Sequence, residues 1–203
     1  MHLIPVKCPD CGADVKLPEG KTQLTCEYCG GSILVADLLG STSVMQNCMT
    51  LAYEAINDKN YEDAYDHFNR AIEIDMKNPY ALMGKAVCLG MTGKLADNIF
   101  NKMTRLHENA FSYATVDKLP NLKKTAAADI VKVVRKNKAF IHMAKELIVL
   151  NGEDEFTAEL KKNYDELIQS TKEIVNKAVE YDSLSKDVSD LNQEVVNGKF
   201  FED

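Results

Sequence analysis

The stretch Tyr61-Glu62-Asp63-Ala64-Tyr65-Asp66-His67-Phe68-Asn69-Arg70-Ala71-Ile72-Glu73-Ile74-Asp75 decides how most of this chain folds. Tyr61, Ala64, Tyr65, Phe68, Ala71 and Ile72 recur at steps of three and four, which places them on one face of an α-helix. Charged residues fill the opposite face. Upstream, Leu51, Ala52, Ala55 and Ile56 mark the apolar side of an earlier helix, and Asn57-Asp58-Lys59-Asn60 breaks the pattern between the two. Downstream, Asn78-Pro79 opens a third helix, with proline at the first position, where its missing N–H leaves nothing unsatisfied. Leu82, Ala86 and Leu89 face inward from it. The chain therefore reads as helical hairpins joined by short turns.

This stretch resembles a tetratricopeptide repeat (TPR). Ala64, Phe68 and Ala71 carry that family's small–large–small pattern, and Leu51 and Ala52 match the leucine and small residue of its first helix. Gly93 falls at a favoured turn glycine. The resemblance covers roughly residues 45–108. It implies an all-α array of helical hairpins that binds a protein or peptide in a concave groove. Such a groove needs about three stacked repeats, and these residues spell out one repeat and part of the next.

Residues 37–44, with Gly40-Ser41-Thr42-Ser43, read as a short linker before the helices. Beyond residue 108 lies a C-terminal helical region, 109–203. Leu95, Ile99, Met103 and Leu106 share one face. Pro120 opens a helix to about Lys136, with Leu122, Ala126, Ile130, Val133 and Val134 inward, and a second helix spans Phe140 to Leu150 before Asn151-Gly152. A long helix starts near Asp154. In it Leu160, Tyr164, Leu167, Thr171, Ile174, Ala178 and Tyr181 alternate steps of four and three, a heptad seam. The seam fits either a hairpin within the chain or a homodimer through the 154–181 helix. Ser183 to Asp203 reads as a short helix and a frayed tail.

At the N-terminus the pattern changes to Cys8-Pro9-Asp10-Cys11-Gly12 and Cys26-Glu27-Tyr28-Cys29-Gly30. Two cysteines three apart in a tight turn aim both sulfurs at one point, and the following glycine takes the positive φ that closes the turn. Two such knuckles supply four thiolates in a tetrahedron, the structural site of Zn²⁺. Residues 1–36 are accordingly expected to form a small zinc β-ribbon, with strands around Val15 and Leu17, Thr22 to Thr25, and Ser32 to Val35. Cys8, Cys11, Cys26 and Cys29 are the expected ligands of one structural Zn²⁺. Four thiolates leave no open position for water or substrate, so the expected role is structural. A redox dithiol wants a single CxxC in a βαβ setting, and an iron knuckle site wants a longer separation. Cys48 and Cys88 lie among apolar residues and read as buried small hydrophobes.

The fold class expected is thus mainly α, a zinc ribbon followed by helical hairpins. The formal net charge of −7 disfavours a nucleic-acid binder, since phosphate contacts supply most of such affinity. The ribbon is itself acidic: Lys7, Lys16 and Lys21 oppose Asp10, Asp14, Glu19 and Glu27. Residues 117–138 are the exception, with seven basic and two acidic residues, against six and fourteen in 151–203. No P-loop, GxGxxG or HExxH occurs, and His67 and His142 stand alone. No apolar run spans a membrane and no signal sequence is evident, which points to the cytoplasm. The expected function is a non-enzymatic adaptor that binds a protein through its helices. The alternative is a nucleic-acid-associated factor that uses the ribbon and the 117–138 helix.

Overall fold

The computed structural model describes residues 3–8, 10–18, 23–151 and 155–202. It is mainly helical, with a small strand region at the N-terminus that contains the cysteine cluster. There, β1 (Leu3–Lys7) pairs antiparallel with β2 (Asp14–Pro18), setting Val6 opposite Val15. β3 (Gln23–Thr25) pairs antiparallel with β4 (Ser32–Leu34), setting Leu24 opposite Ile33. Each hairpin carries one cysteine knuckle at its tip. β1 was not legible in the sequence, because Leu3-Ile4-Pro5-Val6 lacks clear alternation and holds a proline. It becomes a strand because the first knuckle folds the chain back onto it. Thr22, expected in β3, lies outside the described residues.

Among the described residues of this module, Cys8, Val15, Cys26 and Ile33 are buried, with Ala13 and Leu24 half-buried against them. So small an apolar cluster cannot offset the entropy of ordering some 30 residues. The module needs a further source of stability.

α1 (Val35–Asn57) follows β4 directly. The linker expected over residues 37–44 is helical instead. Gly40, Ser41, Thr42 and Ser43 have weak helix propensity, but no proline interrupts them, and extending an existing helix is easier than starting one. α2 (Tyr61–Ile74) is capped by Asn60, whose side chain accepts from the Asp63 N–H at 3.3 Å. α3 (Pro79–Thr92) is capped by Asn78, which accepts from the N–H groups of Tyr80 and Ala81 at 3.1 Å. A 3₁₀ turn, Leu95–Asp97, leads through left-handed Asn98 into α4 (Ile99–Tyr113).

The helices expected over 120–136 and 140–150 are one helix, α5 (Leu119–Asn151). Asn137 sits where the break was expected. Its side chain is buried, and Nδ2 donates to the Val133 carbonyl one turn back at 2.9 Å, so it joins the helix instead of ending it. α6 (Glu155–Tyr181) returns beside α5, and α7 (Lys186–Val196) packs on both. The helices pair as successive hairpins, α1 with α2, α3 with α4 and α5 with α6. Neighbouring hairpins touch through α2–α3, α1–α3, α3–α5 and α4–α6.

Phe68, Ile99, Met103, Ile130, Val133, Val134, Ile141 and Ile174 are buried in the shared core. Each such side chain contributes roughly 1.5–3 kcal/mol on burial. The heptad seam is filled from within the chain: Thr171, Ile174 and Ala178 are buried, and the Thr171 hydroxyl donates to the Leu167 carbonyl at 2.7 Å. The tail expected to fray is ordered through Glu202, and Asp203 lies outside the described residues. A 3₁₀ turn, Lys199–Phe201, buries Phe200 and Phe201 against the core. His142 Nε2 donates to the Phe200 carbonyl at 2.8 Å, and Lys145 Nζ to that of Phe201 at 3.1 Å. Among the described residues no helix is long and apolar enough to cross a membrane.

Candidate metal centre and groove

The two knuckles have the same backbone geometry. The Cys8 N–H donates to the Ala13 carbonyl at 2.9 Å and the Gly12 N–H to the Cys8 carbonyl at 2.9 Å. In the second knuckle the Cys26 N–H donates to Gly31 at 2.8 Å and the Gly30 N–H to Cys26 at 2.9 Å. Gly12 and Gly30 have φ of +72° and +74°, a conformation that a Cβ would strain. The first cysteine of each pair is buried and the second is exposed. The knuckles meet closely: a side chain at Gly31 would run into the Asp10 carboxylate and the Cys29 sulfur.

This brings together all four sulfurs that the spacing singled out. Cys8 Sγ lies 3.7 Å from Cys29 Sγ, Cys11 Sγ lies 3.7 Å from Cys26 Sγ, and all four fall within 4.8 Å of one another. Tetrahedral Zn²⁺ with bonds of about 2.3 Å spaces its sulfurs about 3.8 Å apart, so the donor set fits a thiophilic cation. The proton chemistry fits too. Backbone N–H groups of Cys29 and Tyr28 pull the Cys26 thiol down to about 7. At Cys29 the Gly31 N–H also favours the thiolate, yet the sulfurs of Cys11, Cys26 and Cys8, with burial, push the thiol up to about 12. One thiolate forms readily and its charge opposes the next. A divalent cation at the centre would remove that repulsion and displace the remaining protons.

His67 and His142 do not approach the sulfurs. His67 Nε2 lies 3.7 Å from Asp63, and His142 serves the C-terminal turn. Cys48 and Cys88 are buried, and desolvation pushes the Cys88 thiol up to about 12.

A second feature escaped the sequence reading. α1, α3 and α5 border a groove of about 340 Å³, lined by Tyr53 of α1, Tyr80 and Met83 of α3, Lys118 in the turn before α5, and Asp129 and Lys132 of α5. Lys118 Nζ stands 5.8 Å from the centre of the Tyr80 ring, and Lys132 Nζ stands 4.9 Å from that of Tyr61. Burial pushes the Asp129 carboxyl up to about 7, against the pull of Lys132. A sequence signal for it did exist, since Asp129 is the lone acid between Lys118 and Lys138. The rest of the basic stretch is divided. Arg135 grips Glu194 of α7 through two bonds, of 3.0 and 3.4 Å, and Lys138 lies over the Phe200 ring.

His107 was missed as well. It is fully buried between Phe111 and Tyr181, neither ring nitrogen has a hydrogen-bond partner among the described residues, and desolvation lowers its pKa to about 4. The spacing did carry a signal, since His107 falls four residues after Met103 and seven after Phe100, on the inward face of α4. Comparison with known proteins gives no match, whether by family model, by curated sequence or by solved structure.

Proposed function

We propose that this chain is a non-enzymatic zinc-binding scaffold, whose TPR-like helices hold an extended segment of a partner protein. The observation that carries this reading is the groove between α1, α3 and α5. These are the first helices of three successive hairpins, and α5–α6 supplies the third unit that residues 45–108 do not spell out. Two tyrosines, an aliphatic floor and lysines at intervals suit an extended peptide with mixed side chains.

The N-terminal module is read as a zinc ribbon with Cys8, Cys11, Cys26 and Cys29 as ligands. The sulfur spacing and the all-thiolate donor set support Zn²⁺. A site closed by four thiolates holds the fold together and offers substrate no position. The nucleic-acid alternative needs a continuous cationic face. Arg135 and Lys138 are engaged by Glu194 and Phe200, which weighs against it.

A photo-crosslinking residue at Tyr80, introduced in cells, tests the reading. Adducts to a discrete protein are expected, lost with Lys118→Glu, and absent when the probe stands at exposed Tyr113. Equal adducts from both positions would defeat the groove. Salt-sensitive, sub-micromolar retention of DNA or RNA on filters, lost on neutralising Lys132, Arg135 and Lys136, would establish the alternative instead.

A further inference from the structure

We infer, resting on the groove's role as a peptide site, that Asp129 with Tyr53 and Tyr80 forms a subsite that takes an arginine side chain of the partner segment. Asp129, Tyr53 and Tyr80 stand on α5, α1 and α3 and line the same groove. Burial first, and then the charges of Tyr80 and Asp129, push the Tyr53 phenol up, so the three polar groups lie within reach of one another's charge. Behind desolvation, Asp129 also raises the Cys88 thiol, which places the carboxylate opposite the middle of α3.

That carboxylate is the unanswered charge of the groove. Among the described residues no hydrogen bond and no salt bridge reaches it, although burial pushes the carboxyl up to about 7. Lys132, one turn further along α5, pulls the other way without offsetting burial, and its ammonium stands 4.9 Å from the centre of the Tyr61 ring. Lys118 is turned onto Tyr80, and the eleven residues between positions 118 and 129 span about 16 Å along a helix. A half-buried acid with no partner in its own chain is completed by a cation from outside.

The surroundings select arginine among cations. Ile56, Met83 and Val87 give the groove an apolar floor, along which a long basic side chain lays its stem while its head meets the carboxylate. Tyr53 is 45% exposed and packs at 82° to buried Phe68, so its ring is held at the groove wall with area left for contact. A guanidinium stacks on such a ring and bonds a carboxylate through two N–H groups at once, which a lysine ammonium does not. Its weaker hydration also lowers the cost of entering a half-buried site.

Titration of the zinc-loaded full chain with Nα-acetyl-arginine amide, followed through backbone amide NMR signals, tests the subsite. Signals around Tyr53, Tyr80 and Asp129 are expected to shift and saturate, and the norleucine and glutamate analogues should bind at least about tenfold more weakly. Asp129 gains its charge around pH 7, so affinity for the arginine probe should rise about tenfold from pH 6 to pH 8. Tyr53 of α1, Tyr80 and Cys88 of α3, Lys132 of α5 and Lys118 before it are the titratable groups around this carboxylate. Asp129→Asn leaves all of them in place and should abolish both the preference for arginine and the rise with pH. Lys132→Gln removes the competing cation and should tighten arginine binding severalfold. A glutamate probe that binds as well as arginine overturns the inference, and so does arginine binding that is unchanged in Asp129→Asn. With Tyr80 crosslinks intact, either result fells the subsite and leaves the scaffold standing. Loss of the crosslinks while the arginine probe still binds removes the scaffold instead, and with it the partner segment as the source of the arginine.

Discussion

The ring of Phe68 on α2 lies against Gly84 on α3, so close that a methyl group at residue 84 would overlap it. Phe68 is fully buried, and this contact sets how nearly the second hairpin approaches the first. Gly84→Ala is expected to destabilise the helical core by about 1–3 kcal/mol through overpacking. Urea titration measures it. Adding Phe68→Leu to Gly84→Ala should recover part of the loss, because a smaller side chain vacates the overlap. Strict additivity of the two changes would contradict the contact.

The ribbon and the helices have separate cores. Removing the metal with a strong chelator should therefore unfold the ribbon while most of the far-UV helical signal persists. Backbone amide signals of residues 8–33 are expected to collapse, and those of α3 to α5 to stay. Cys26→Ser should weaken Zn²⁺ binding by more than about 100-fold, a greater loss than changing a group that only hydrogen-bonds to a ligand gives. Elemental analysis of untagged protein should find one Zn per chain. A metal-free chain with an ordered ribbon would remove the basis for the metal centre.

His107 gives the helical core an acid limit. Its pKa falls from 6.5 to about 4 on folding, because burial disfavours the imidazolium. Below pH 6.5 the unfolded chain binds the proton and the folded chain does not, so stability drops as pH falls through the window from 6.5 to 4. By linkage the loss is about 2 kcal/mol at pH 5 relative to pH 7.5. His107→Leu should flatten that part of the pH–stability curve, which denaturant titrations at the two pH values would reveal. An unchanged slope in the variant would refute the burial argument.

Asp129 acts in the opposite sense. Burial raises its carboxyl from 3.8 to about 7, so the folded chain holds the proton more tightly than the unfolded chain does. Its contribution is greatest below pH 3.8 and is lost as pH rises through 7. Asp129→Asn is expected to stabilise the protein at pH 8 by about 1–3 kcal/mol, with a smaller gain at pH 5. A variant less stable than wild type at pH 8 would show that the carboxylate has a partner worth more than its desolvation.

Local pattern and the surroundings of each residue were legible to different degrees. Two CxxC-Gly knuckles state their geometry in the chain, because the sulfurs are three residues apart and the turn between them is closed by its own backbone. The helical face of Tyr61 to Ile72 is equally local. α1 and α5 show the limit, since turn-like residues at 40–43 and Asn137 are carried by the helices around them.

By itself, then, the sequence determined the cysteine knuckles and the presence of amphipathic helices, because both rest on spacing within a turn or two. Only the tertiary structure decided that α5 and α6 add a third hairpin and that Tyr53, Tyr80 and Lys118 line one groove. It also decided that Phe200 and Phe201 pack into the core. These depend on which surfaces of distant segments exclude water together. No residue's immediate neighbours in sequence carry that information.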